Sequence, residues 1–163
     1  MKKLLFTTMI TMITMNVWAT GEKGDMAIGG NLLLGVGQNY SNVGLGAKFS
    51  YNLTDPIRVL GEANYFLESS LIQETDFSLY GQYLFPVADR LLVFPSIGVG
   101  VLLQKVTIPF FNITSSGSGA VFSLGGGAEY LLTDRFSLIG EFRLKFYGGA
   151  NRANLVAGIA YKL

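Results

Sequence analysis

From residue 25 onward, apolar and polar positions alternate with a period of two, the side-chain period of a β-strand. The clearest stretch sets Val43, Leu45, Ala47, Phe49, Tyr51 and Leu53 on one face against Gly44, Gly46, Lys48, Ser50 and Asn52 on the other, and no charge falls on the apolar face. The same phase holds through Val59 to Leu67 and through Phe77 to Phe85. Further strands are predicted from about Leu91 to Gln104, Val121 to Leu132, Phe136 to Phe146 and Asn154 to Leu163, with Met26 to Val36 in front. No segment after residue 25 is apolar for long enough to cross a membrane as a helix. Strands of roughly 10 residues, in an even number that returns both termini to one side, are what a small membrane barrel requires. The pattern therefore predicts an all-β fold, an eight-stranded antiparallel up-and-down transmembrane β-barrel.

The connections fall into two alternating kinds. Thr54-Asp55-Pro56, Pro86 to Arg90 and the segment around Thr133-Asp134 read as short turns, whereas Gln38 to Asn42, Glu68 to Glu74, Lys105 to Gly119 and Tyr147 to Arg152 read as longer loops rich in Gly, Ser and Asn. In such a barrel the short turns face the periplasm and the longer loops face outward, which leaves both termini on the periplasmic side. Tyr51, Tyr83, Phe85, Tyr130, Phe136 and Tyr161 gather near the short-turn ends of the apolar face, with Tyr65 and Phe146 toward the other rim, the arrangement of two aromatic girdles.

The N-terminus has a different pattern. Met1-Lys2-Lys3, an apolar stretch from Leu4 to Met15 and Val17-Trp18-Ala19 have the form of a signal peptide spanning residues 1–19, leaving residues 20–163 as one barrel domain. Losing Lys2 and Lys3 from the 12 basic residues, against 11 acidic ones, makes the mature chain nearly neutral with no basic run, so no nucleic-acid partner is expected.

Composition narrows the chemistry. Only 14% of the 163 residues are charged, too few for an ordinary water-facing surface. With no His and no Cys, the chain cannot supply a Ser-His-Asp triad, a cysteine nucleophile, a disulfide or the usual zinc ligands. No catalytic, cofactor-binding or metal-binding residues are expected. The Gly98-Val99-Gly100 and Gly125-Gly126-Gly127 runs lack the following helix that a phosphate cradle needs.

The polar face carries one constellation. Pairing Leu53 with Ile57 across the first short turn sets Lys48 opposite Glu62, a predicted buried ion pair. Pairing Leu132 with Phe136 sets Gly127 beside Glu141 and Gly125 beside Arg143, so glycine leaves room for the long side chains. The interior is then expected to hold Lys48, Arg143 and Lys145 with Glu62, Glu129 and Glu141, assisted by Tyr80, Gln82 and Asn64. These charges balance, as the filling of a narrow lumen requires, since unpaired buried charge is costly. An eight-stranded interior is just wide enough for side chains to fill.

Arg58-Val59-Leu60-Gly61-Glu62-Ala63-Asn64-Tyr65-Phe66, Val93-Phe94-Pro95-Ser96-Ile97-Gly98-Val99-Gly100 and the run from Gly125 to Leu138 resemble the small outer-membrane β-barrel family that includes OmpX and the OmpA membrane domain. The resemblance extends over essentially the whole mature chain. It implies an integral protein of the bacterial outer membrane, exported and inserted by the barrel-assembly machinery, with outer-membrane lipid as its surroundings. Leu155, Ala157, Ile159, Tyr161 and Leu163 keep the alternation of the C-terminal strand which that machinery reads, but the last residue is Leu rather than Phe. Barrel enzymes acting on lipid A resemble this fold but use a His, which this sequence lacks.

The expected function is non-enzymatic: a monomeric barrel with a structural or surface-interaction role through its outward loops. Ile108, Phe110 and Phe111, in the loop from Lys105 to Gly119, form an apolar tip and are the candidate contact with an unidentified surface partner. A narrow porin-like channel for small solutes or ions is one alternative. A secreted lipocalin-like carrier of an apolar ligand, with the apolar face inward, is another. Leu138 reads as near the middle of an outward row, where arginine would be costly, and Ser123 as an inward position that tolerates polar change.

Overall fold

The computed structural model describes residues 21–37, 41–69, 72–108, 113–148 and 150–163. The leader expected at residues 1–19 lies outside them. Nine strand segments form one antiparallel sheet: β1 (Met26–Gly37), β2 (Ser41–Asn52), β3 (Ile57–Ser69), β4 (Ile72–Tyr83), β5 (Phe85–Ala88), β6 (Leu91–Ile108), β7 (Ile113–Leu131), β8 (Phe136–Tyr147) and β9 (Ala150–Lys162). β5 continues β4 past Leu84, so the segments make eight staves. β1 pairs with β9 and β4 with β6, which closes the sheet into a barrel and leaves no seam between first and last strands.

The register comes from the two-residue period together with the turns. Leu53 N–H donates to Ile57 O and Leu132 N–H to Phe136 O, each at 2.9 Å, the pairings the sequence implies at the first and third short turns. The Thr54 hydroxyl accepts from Ile57 N–H at 3.2 Å, and the Thr133 hydroxyl from Phe136 N–H at 3.0 Å, so a threonine fixes each turn. The segment Pro86 to Arg90, expected as a turn, is strand as far as Ala88, and the turn is confined to Asp89 and Arg90.

Which face points inward is decided by exposure. Leu32 is 57% exposed, Leu79 59% and Val99 60%, while Leu33 is 0% exposed. The apolar alternation is therefore outside and the polar one inside. That is the reverse of a lipocalin-like carrier, whose ligand needs an apolar interior, and it overturns that alternative. Tyr83 and Phe85 stack at 4.6 Å and Phe136 and Tyr161 at 5.0 Å near the short turns, and Phe122 and Phe146 lie 6.3 Å apart toward the other rim.

The outward connections are shorter than the sequence suggests. Strand continues to Ser69 and resumes at Ile72, and it runs to Tyr147 and resumes at Ala150 after Gly148, whose φ of +52° suits glycine. The expected loop from Lys105 to Gly119 is instead a ribbon, paired as far as Ile108 opposite Ile113. The apolar alternation fades where the outward face no longer meets hydrocarbon, but backbone pairing has no reason to stop there.

Candidate functional site

The polar interior is the best-built site in the molecule. The short alternating strands place every second side chain inside, and interior glycines give those side chains space. A Cβ on Gly98 would strike the Tyr80 ring, and one on Gly127 would lie 2.7 Å from Glu141 Cγ. Gly158 would bring a Cβ to 2.9 Å from Lys48 Nζ. Gly98→Val is accordingly expected to cost about 1–3 kcal/mol by overpacking against Tyr80. Urea titration of the refolded barrel, scored by the gel mobility of the folded band, measures it, and an unchanged midpoint would mean that Tyr80 has room to move.

All six residues expected inside, Lys48, Glu62, Glu129, Glu141, Arg143 and Lys145, are buried there. Lys48 does face Glu62 in the register. The direct ion pair between them is not formed, however, because Glu62 is taken by Arg143 from across the lumen and by the Asn31 amide. Lys48 Nζ has no hydrogen-bond partner among the described residues and is held in the field of Glu141 and Glu62. Arg143 also donates from Nε to Glu141 at 2.8 Å, and its guanidinium lies 4.2 Å over the Tyr80 ring. Lys145 pairs with Asp76 at 2.8 Å, and Glu129 with Arg58 at 2.6 Å and with the Ser137 hydroxyl.

Four members of the network lie beyond the expected six, although the alternation of β3 already puts Arg58 on the inward face at the short-turn rim. Arg58, Glu74, Asp76 and Arg152 all point inward, and Glu74 binds Arg152 while accepting from Asn42 and Gln104. Arg152 stacks over Phe66 at 4.3 Å. Glu74 and Arg152 were missed because both lie in segments that read as loops. Extending the alternation two residues above the apolar rows would have found them. With these additions the interior holds Lys48, Arg58, Arg143, Lys145 and Arg152 against Glu62, Glu74, Asp76, Glu129 and Glu141, equal in number among the described residues.

The network runs the length of the lumen, from Arg58–Glu129 near the short turns, through Arg143, to Arg152–Glu74 near the outer rim. Small apolar clusters sit along it: Leu84, Phe94, Ile139 and Ala160 in one half, and Leu33, Phe66 and Val156 in the other. Little space is left. The cavity lined by Lys48, Gln82 and Glu141 has a volume of about 30 Å³, and that at the short-turn mouth about 50 Å³, room for a few waters. Among the described residues no group of three or more His, Cys, Asp or Glu could hold a metal ion. Among the described residues every one of these interior carboxylates is held by a cation, and Glu129 and Asp76 also accept from the Ser137 and Ser78 hydroxyls. The arrangement stabilises charge.

Of the apolar tip expected to make surface contact, only Ile108 is among the described residues. Phe110 and Phe111 lie outside the described residues, and Ile108 is the last residue of β6.

The sequence profile of the outer membrane protein beta-barrel domain matches residues 5–162. No curated relative matches the sequence. Among solved structures, Ail, the attachment invasion locus protein of Yersinia pestis, is similar with a TM-score of 0.63 at 17% identity, over 86% of this chain and 99% of that one. Neisserial surface protein A aligns with a TM-score of 0.67 at 12% identity, over 85% and 96%. The N-terminal β-barrel domain of Pseudomonas aeruginosa OprF aligns with a TM-score of 0.64 at 14% identity, over 86% and 100%. At these identities the structural likeness establishes the fold alone.

Proposed function

This chain belongs to the outer membrane protein β-barrel family, and on that footing we propose that it is a monomeric, non-enzymatic barrel of the bacterial outer membrane that works at the cell surface. The observation carrying the surface role is the ribbon of β6 and β7. β7 pairs with β8 only from Phe122 onward, so from Ile113 to Val121 its second edge has no strand beside it among the described residues. At about 3.3 Å per residue that edge stands roughly 30 Å along the strand direction. An open edge of this kind is a template for pairing with an extended chain, giving affinity through backbone hydrogen bonds. Ser115, Ser116, Gly117 and Ser118 are exposed on it.

Replacing Leu103 to Ser118 by a two-residue turn removes most of that open edge while leaving the pairs from Leu102 and Gly119 downward in place. The shortened barrel is expected to fold with the wild-type gel shift and to lose capture of extended peptides from a display library. Undiminished capture would mean that the ribbon is not the contact surface.

The plugged lumen supports the absence of conduction. In planar bilayers the purified barrel is expected to show no discrete openings, because the matched charges and aromatic rings occupy the interior from end to end. Stable unitary steps would favour the narrow-channel reading.

A further inference from the structure

Charged side chains are divided very unevenly between the two faces of the barrel wall. On the outward face between the rims, Lys105 of β6 is the single charged residue among the described ones. It is exposed and takes part in no ion pair among those residues, whereas Lys162 at the opposite rim pairs with Asp25 at 2.6 Å.

Its level in the wall follows from the register. Lys105 faces Gln73 of β4 and Ser116 of β7, and the next outward rung is Thr75, Leu103 and Ser118. Below that come Phe77, Val101 and Ala120, then Leu79, Val99 and Phe122, all apolar. A change from apolar to polar within two rungs marks where hydrocarbon gives way to headgroups. Tyr65, whose hydroxyl accepts from Gln73 Nε2 at 2.6 Å, marks the same level. Here Gln73, Thr75, Leu103, Lys105, Ser116 and Ser118 line an open groove of about 410 Å³.

An ammonium at that depth, with hydroxyls and an amide around it and no carboxylate paired with it among the described residues, is complementary to one kind of group. The geometry points to this groove as a seat for the phosphate of an anionic membrane lipid. Lys105 supplies the charge, Gln73, Ser116 and Ser118 supply N–H and O–H donors, and the acyl chains lie along the rows of Val101 and Phe77 below.

The inference rests on the membrane-spanning reading, and the test separates the two. The mature barrel is placed in phosphatidylcholine nanodiscs containing a minor fraction of diphosphoryl lipid A, and lipid A retained per released barrel is counted by native mass spectrometry. Wild type is expected to retain it, with retention falling as salt is raised. Lys105→Ala lowers retention about fivefold, the effect of one basic residue near an anionic surface. Lys105→Arg keeps retention, and Lys162→Ala leaves it unchanged. Equal retention by wild type and Lys105→Ala, or an equal loss in Lys162→Ala, would overturn the assignment while leaving the barrel intact. A chain that enters no nanodisc at all would overturn the membrane reading and the lipid seat with it.

Discussion

Arg143→Ala is expected to lower the stability of the folded barrel by about 3–5 kcal/mol, because it strands two buried carboxylates at once. Arg143 is wholly buried and bound to both Glu62 and Glu141, with its guanidinium on the Tyr80 ring. Lys48 has no hydrogen-bond partner of its own and lies in the field of the same two carboxylates, so it recovers only part of the loss. Folding is followed in micelles by urea titration, scored by gel mobility, since the single Trp of the sequence, Trp18, lies in the expected leader and not in the barrel. Arg143→Met combined with Glu62→Gln and Glu141→Gln is expected to recover much of the stability, because the cost lies in breaking the pairs more than in lacking them. A loss below about 1 kcal/mol for Arg143→Ala would mean that water already solvates the lumen at this depth.

The second large effect is on the opposite face. Val99→Arg is expected to cost about 2–4 kcal/mol, the cost of a cation facing lipid at the bilayer midplane. Val99 lies between Leu79 and Phe122, midway between the short-turn rim and the polar rung of Lys105. Leu138 does not hold the central position expected from the sequence. It pairs with Ile159 and Tyr130, one outward rung from the stacked Phe136 and Tyr161, so Leu138→Arg reaches the interface and costs less. Equal costs at the two sites would contradict this depth assignment. Ser123, expected as a tolerant inward position, is indeed inward but wholly buried opposite Lys145, so only a small polar replacement fits there.

The contrast between Leu138 and Val99 shows how far the sequence could be read. Alternation gave the faces and the strand count, since a two-residue period has only two phases. The turns at Thr54 and Thr133 gave register, and with it the facing of Lys48 and Glu62. Depth and partner choice are different in kind. They depend on how neighbouring strands are staggered and on which side chains meet across the lumen, and neither is local in sequence. Glu62 could be matched to its neighbour on β2, but not to Arg143 on the far wall. Glu74 and Arg152 were lost for a related reason. The apolar rows stop at the membrane boundary while the ladder and its inward face continue, so outward hydropathy marks the lipid and not the strand ends.

The ribbon of β6 and β7 is the extreme case. Its Ser- and Gly-rich sequence lacks the apolar alternation of a half-buried strand, yet β6 stays paired with β4 as far as Val106 opposite Ile72 and with β7 up to Ile108 opposite Ile113. Weak β-propensity there was overridden by continuity with the strong strands below.

The central claim is that an apolar outer face and a charge-matched interior make this chain a stable barrel in the outer membrane. The most direct test is fractionation of producing cells, followed by electrophoresis of the membrane fraction with and without boiling. The account predicts that the protein is found with the outer membrane and that the unboiled band migrates apart from the boiled one, the detergent-resistant barrel unfolding only on heating. A soluble periplasmic protein with a single, heat-independent band would contradict it.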